Sequence, residues 1–370
     1  MKKLFIITGE HSGDKHAAEV AKELKKADKD LIIEAVGGKN LKDEGVNLFC
    51  DHSKMSAVGL NFKIILEHFF LGKRILDYLK NNFKPDIVLL VDYGAFNLNI
   101  AKVLKKHKFK VFYYIPPQIW ASRRWRLKTV KKYIDKVITI FPFESEMYQK
   151  EGIDVEFAGH PILNEIPQKA DKEAFFKEYG LDPKKKLISI FPGSRVFEIN
   201  HLLKIFVDAA KIIEAKNKDV QFVICQAPNL KEELIKPFAK GIRIIKNKNY
   251  ELLSTSDALM LASGTVALEA AIYETPMIIS YRGPAFFYLV YLLVRCIKMV
   301  SLPNIILQKQ VVPELIQKDA NAHEIAKNLL NILENDDYRN NMVESLKNVK
   351  KMLSIENSAI KTSRIILDNI

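Results

Sequence analysis

Short β-branched, apolar runs alternate along this chain with longer stretches in which apolar residues return every three to four positions. A run of four to seven apolar residues bounded by turn residues predicts a buried strand, and the three-to-four spacing predicts an amphipathic helix. Strands are predicted at 3–8, 31–36, 86–92, 110–115, 136–141 and 154–158, and a second series at 186–191, 221–226, 242–245, 257–261 and 276–280. Strands separated by helices form βαβ units and parallel sheets, so the expected class is α/β. Both halves open alike, with a basic apolar strand (KKLFIIT, KKLISIF), a small-residue turn (GEHSGD, PGSR) and then a helix.

Length strengthens that division, because 370 residues exceed one ordinary core and suit two at roughly 150 residues each. The segment GHPILNEIPQKADKEAFF carries two prolines and turns polar, which sets the boundary near residues 164–172. The composition, 48% apolar and 27% charged, is that of a globular protein. The formal net charge of +13 favours anionic partners, whether nucleic acid, phosphorylated small molecules or an anionic lipid surface. Cys50, Cys225 and Cys296 lie far apart without zinc-type spacing, and no His and carboxylate set has metal-ligand spacing. Lys2 and Lys3 precede only Leu4-Phe5-Ile6-Ile7, too short an apolar region for a secretory signal. The longest apolar run, 285–294, stops far short of the roughly 20 residues a membrane span needs. A cytosolic protein without a transmembrane helix is expected.

Candidate chemistry gathers where strands end, since ligands of open α/β sheets bind beyond the carboxyl ends of strands and helix N-termini attract anions. In LASGTVALEAA, Ser263, Gly264 and Thr265 follow a strand, and Glu269 lies one turn further on the face of Thr265. A nucleoside diphosphate with its ribose on the carboxylate would use all four; an N-cap followed by a solvated Glu is the plain alternative. In FPGSRVFEIN, Gly193 and Ser194 open a helix and Arg195 adds a cation suited to phosphate, unless it only pairs with Glu198. GEHSGDKH is neither GxGxxG nor a P-loop. There Ser12 or Asp14 caps the helix, while Glu10 and His11 are left to face a ligand. Asp92 and Asn97 in VDYGAFN end a buried strand, and Asp92 is the candidate general base.

YYIPPQIWASRRWR interleaves Trp120 and Trp125 with Arg123, Arg124 and Arg126, as single-stranded nucleic acid sites and surfaces for phosphorylated amphiphiles do. The stretches 59–76 and 284–299 are apolar with basic residues beside them and read as interfacial segments or as core helices.

Taken in order, GEHSGD, SAVGL, VDYGAFN, YYIPPQIWA, FPFE, FAGHP, FPGSR, ASGTVALE, TPMIISYR, VSLPNI and VPELIQ resemble the lipid-A-disaccharide synthases over nearly the whole chain. The resemblance implies the GT-B fold, two Rossmann-like doubly wound domains facing a cleft. It implies an acceptor and membrane-facing domain at 1–168, a UDP-sugar domain at 169–344, and a final helix at about 345–370 crossing back. The implied reaction joins UDP-2,3-diacylglucosamine to 2,3-diacylglucosamine 1-phosphate (lipid X) with inversion, without metal or cofactor, at the inner face of the inner membrane. Gly193, Ser194, Arg195, Ser263, Gly264, Thr265, Glu269, Asn304, Glu314 and Gln317 would hold UDP. Asp92 would be the base, with Arg195 and Glu10 as further catalytic candidates. Ser12, Asn97, Gln118, Trp120, Arg123 and Arg126 would meet the acceptor. Another GT-B enzyme of UDP-sugars, an epimerase or a peptidoglycan glycosyltransferase, and an RNA-binding protein are the alternatives; the leading reading has no nucleic acid partner. A homodimer is compatible with the chain, and no feature specifies it.

Two departures bear on mechanism. The family commonly reads DxPDFN where this chain has Asp92-Tyr93-Gly94-Ala95-Phe96-Asn97, so a second carboxylate is missing at Ala95. IWASRRWR also lacks the family's Trp immediately after Ala121.

Overall fold

The computed structural model describes residues 1–51, 62–284, 288, 292, 295–354 and 356–370. The chain divides into two compact units, Met1–Pro161 with Leu353–Ile370, and Ile162–Met352.

The first unit is built on a seven-stranded parallel sheet: β1 (Lys3–Ile7), β2 (Ile32–Gly37), β3 (Asn47–Asp51), β4 (Ile87–Val91), β5 (Val111–Tyr114), β6 (Lys136–Thr139) and β7 (Val155–Phe157), in the spatial order β3-β2-β1-β4-β5-β6-β7. The second holds six, β8 (Lys186–Phe191), β9 (Val220–Gln226), β10 (Arg243–Lys246), β11 (Ala258–Ala262), β12 (Met277–Tyr281) and β13 (Glu314–Ile316), ordered β10-β9-β8-β11-β12-β13. Every recorded strand pair is parallel. Each sheet winds outward in both directions from its first strand, so the order reverses between β1 and β4 and again between β8 and β11. Those two gaps are the topological switch points at which doubly wound sheets bind ligands.

The apolar runs become strands because helices cover both faces of the sheet. All five residues of β4 are buried, and Phe5, Ile7, Val88, Leu90, Tyr113 and Val137 join one core cluster with the flanking helices. The eleven strands read from the sequence are present, whereas β3 and β13 were missed. Both are short edge strands without a fully buried pattern, Asn47 and Asp51 being polar ends of β3 and Glu314 and Ile316 only half-buried in β13. An edge strand has one ladder and one covered side, and so carries little of the apolar signal by which inner strands are recognised.

The closing helix Ser358–Leu367 belongs to the first unit and packs on the helix His11–Ala27. Asn357 caps it by accepting from Ala359 and Ile360 N–H groups, and the Ser358 hydroxyl meets the Tyr114 hydroxyl at 2.9 Å. Asp14 does not cap its own helix. That helix begins at His11 after Glu10, and Asp14, wholly buried in its first turn, instead accepts from Gly38 N–H (2.6 Å), Asn40 N–H (2.9 Å) and Asn40 Nδ2 (2.8 Å). It thereby caps the next helix, Lys39–Asp43, across a gap of 24 residues in sequence.

Asp14→Ala leaves three donors around an enclosed space without their acceptor. The expected loss is about 2–4 kcal/mol of unfolding free energy by urea titration, with Asp14→Asn losing less because one oxygen acceptor survives. Wild-type stability for Asp14→Ala would refute the cap.

Candidate active site

At the first switch point, β4 ends in a turn whose residues Asp92 and Tyr93 both adopt left-handed backbone, each with φ 51°. Neither is glycine, so each position costs on the order of 1–2 kcal/mol that the surroundings must offset. Asp92 N–H continues the sheet to the Tyr114 carbonyl (3.1 Å), and its carbonyl accepts from Asn97 Nδ2 (2.8 Å) and the Tyr113 hydroxyl (2.8 Å). The Asp92 carboxylate accepts from the Ser12 hydroxyl at 3.2 Å. Ser12 comes this near because Gly13 has no side chain: a Cβ there would stand 2.5 Å from Thr8 Oγ1 and 3.2 Å from Asp92 Cβ. Glu10 lies on the adjacent turn, and burial followed by the Asp92 charge raises its pKa. A second carboxylate does stand beside Asp92, therefore, but it is Glu10, while Ala95 is exposed on the helix Gly94–Lys106. The Tyr93 ring lies over Gly9, where any Cβ would be within 2.2 Å of it, and its hydroxyl meets His68 Nε2 at 2.7 Å. Burial holds the His68 pKa below its ordinary value.

Of the residues assigned to the acceptor, Ser12, Gln118 and Arg123 are exposed and Arg126 is half-buried. Arg126 lies within electrostatic reach of the Tyr113 hydroxyl, and burial and then Arg123 lower its pKa. Two of these residues, Asn97 and Trp120, are engaged within the protein. Asn97 is wholly enclosed and spends its amide on the carbonyls of Val91 and Asp92, which shapes the turn. Trp120 is 8% exposed and donates its indole N–H to Glu144 Oε1 at 2.7 Å; the tryptophan that faces outward is Trp125, 64% exposed. Glu144, in the helix Pro142–Lys150, is buried, and this pushes its pKa up to about 8 despite the Trp120 and backbone donors that favour the anion.

The second switch point carries both small-residue turns of the other unit. After β8, Gly193 is left-handed (φ 114°), and a side chain there would strike Glu198 Oε2 at 2.2 Å. The Glu198 carboxylate accepts from Ser194 N–H (2.8 Å) and Arg195 N–H (3.2 Å), and the Arg195 guanidinium, 81% exposed, stands 3.6 Å from it. A carboxylate of the same helix thus occupies the backbone donors of this turn. After β11, Ser263 N–H donates to the Ser280 carbonyl at 2.9 Å, and Thr265 precedes the helix Val266–Ile272 without capping it through its hydroxyl. A Cβ on Gly264 would meet nothing within 4 Å, so the protein's own packing does not demand glycine there. Burial, then Glu165, raises the pKa of Glu269. Gln317 accepts from Gly283 N–H at 3.2 Å, and its Nε2 is buried without a partner.

Asn304 and Glu314 are engaged within the protein. Asn304 is wholly enclosed, accepts from Val311 and Val312 N–H groups, and donates to the Val312 carbonyl and Glu314 Oε1. Glu314 further accepts from Val300 N–H (3.0 Å), Ser301 N–H (2.9 Å) and the Ser301 hydroxyl (2.7 Å). The pair ties the loop before β13 to the start of the helix Leu302–Leu307. Their motif was legible, but inward orientation leaves no mark in sequence. Tyr113 was missed for a related reason, since a Tyr ending a buried strand reads as core.

Residues 4–366 match the family model described as Lipid-A-disaccharide synthetase. A lipid-A-disaccharide synthase of Coxiella burnetii is 37% identical over 370 residues, covering 99% of this chain and 98% of the relative. One of Syntrophus aciditrophicus is 35% identical, covering 97% and 95%. Among solved structures, the S. aureus MnaA–UDP complex superposes with a TM-score of 0.65 at 14% identity, covering 99% of this chain and 95% of that one. MurG of Acinetobacter baumannii gives 0.61 at 13% identity, covering all of both chains. These likenesses establish the two-domain GT-B fold.

Glu144 yields a test by pH. A carboxyl near its ordinary pKa in the unfolded chain and near 8 when folded makes the native state bind more protons between about pH 4.5 and 8, so stability falls as pH rises through that window. Glu144→Gln keeps an acceptor for Trp120 and cannot ionise. The variant is expected to lose less stability than wild type between pH 5 and 8 in urea melts, and parallel curves would refute a neutral Glu144.

Proposed function

The chain belongs to the lipid-A-disaccharide synthetase family, and from that premise we propose that it joins UDP-2,3-diacylglucosamine to 2,3-diacylglucosamine 1-phosphate. The products are a β-1,6-linked disaccharide 1-phosphate and UDP. The observation that carries this reading is Asp92, a carboxylate held at a switch point by Ser12 with Glu10 beside it. As the acceptor 6-oxygen bonds to the anomeric carbon from the face opposite UDP, Asp92 takes its proton, and the bond to UDP breaks with both electrons leaving on phosphate. The charge that develops there is offset by the Gly264 and Thr265 N–H groups and by Arg195, whose exposed side chain would leave its contact with Glu198 to reach phosphate, with Gly193, Ser194 and Ser263 lining the same turns. Glu269 takes the ribose hydroxyls. No metal enters this scheme. The donor is assigned to unit Ile162–Met352, and the acceptor to the unit that holds Asp92, Arg123 and Arg126.

The same unit offers a surface for the membrane that carries the lipid substrates. On the helix Phe62–Tyr78, Leu66, Phe69 and Phe70 are 41%, 68% and 60% exposed, and Lys73 and Arg74 follow them. Aromatic side chains beside cations suit the headgroup boundary of an anionic membrane. Among the described residues no helix is long and apolar enough to cross a membrane. The exposed aromatic face supports attachment at the cytoplasmic face of the inner membrane, where the family's lipid substrates would lie.

UDP release, measured in detergent with each lipid alone and with both, is expected to need both. Asp92→Asn should cut turnover by about 10²–10⁴ in folded protein and Arg195→Ala by roughly 10². Absence of release from wild type would sink the reaction, and near-normal Asp92→Asn turnover would move the base elsewhere.

Replacing Phe69 and Phe70 together by Ser is expected to weaken cosedimentation with anionic vesicles by at least about tenfold, from the apolar area withdrawn. Turnover of detergent-dispersed substrate should change little. Unaltered vesicle binding would exclude this face.

A further inference from the structure

We propose that Tyr113 and Asn97 are positioning residues that hold the main chain of Asp92 so that its carboxylate is aimed at the acceptor; this rests on the reaction proposed above. At the end of β4 the Asp92 N–H stays in the sheet, while the left-handed φ turns its carbonyl out of the ladder. Two side chains reach that one oxygen from different elements, Tyr113 from β5 and Asn97 from the helix Gly94–Lys106, each at 2.8 Å. Both side chains are wholly enclosed. A hydroxyl in an enclosed site is costly unless bonded, and the Tyr113 hydroxyl has its recorded bond at the Asp92 carbonyl. The Asn97 amide is oriented by its surroundings as well. Three carbonyls, of Ile7 (3.5 Å), Val91 (3.2 Å) and Asp92, surround Nδ2, while Oδ1 is buried without a partner. An amide that leaves its oxygen unsatisfied to supply these donors is placed there for the strand ends and the turn. With Ser12 on the carboxylate, the side chain and the main chain of Asp92 are both fixed. Such fixing preserves reactive geometry, in which a displacement near 1 Å can cost 10²-fold in rate.

Tyr113→Phe keeps the ring in place and removes only the bond. The test is a double-mutant cycle with Asp92→Asn on the full chain, reading UDP release with both lipids. Tyr113→Phe is expected to lower kcat about tenfold with unchanged KM for either lipid and unchanged thermal midpoint, and to add nothing in the Asp92→Asn background. Wild-type kcat in Tyr113→Phe, or the same fold loss in both backgrounds, overturns the proposal. Wild-type protein assayed alongside separates the two ideas. If it releases no UDP the reaction falls, and the clamp is then judged on the backbone: a crystal structure of Tyr113→Phe, Asn97→Ala in which Asp92 keeps its left-handed φ overturns it, and one in which φ turns negative supports it.

Discussion

The turn at Asp92-Tyr93 is the constraint around which the first unit is arranged. Two consecutive non-glycine residues in left-handed backbone form a strained arrangement, and they persist because hydrogen bonds from β5, the following helix and the sheet itself converge on one residue. Gly13 brings the first helix within reach of the same turn, and Gly9 makes room for the Tyr93 ring. Strain at a single peptide thus explains two glycines, an enclosed Asn and an enclosed Tyr that would otherwise be unrelated facts about the sequence.

Carboxylates do two kinds of work in this protein, and the backbone donors they accept separate them. Asp14, Glu198 and Glu314 accept several backbone N–H groups each, cap or brace a helix start, and are used up in doing so. Among the described residues Glu10 and Glu269 have no donor recorded, and burial followed by a neighbouring carboxylate raises the pKa of each, while the Asp92 carboxylate accepts from the Ser12 hydroxyl alone. Glu144 is the intermediate case, enclosed with one indole donor and raised to about pH 8.

The departure at Ala95 matters less than the motif alone implies. Position 95 is exposed on a helix, whereas Glu10 reaches the field of Asp92 from the adjacent strand end. A chain without the second motif carboxylate therefore still presents two acids at this switch point. Trp125, exposed after Arg123 and Arg124, likewise puts an aromatic group on the surface that the missing tryptophan does not supply.

Hydrophobic periodicity alone determined the α/β class, eleven of the thirteen strands among the described residues and the places where strands run into small-residue turns, because burial on both faces writes a continuous apolar run into each inner strand. The ordered motifs likewise determined the family. Which polar side chains face outward was decided only by tertiary structure. Asn97 stands in the same motif as Asp92, and Trp120, Asn304 and Glu314 in other motifs of the ordered set, yet all four turn inward and make hydrogen bonds within the protein. Asp14 finds its acceptor role on a helix 24 residues away, and Tyr113 finds the carbonyl of a neighbouring strand. The reason is that a polar side chain's partner is set by sheet order and helix packing, contacts between segments distant in sequence, whereas local pattern records only that the residue is polar and lies near a strand end.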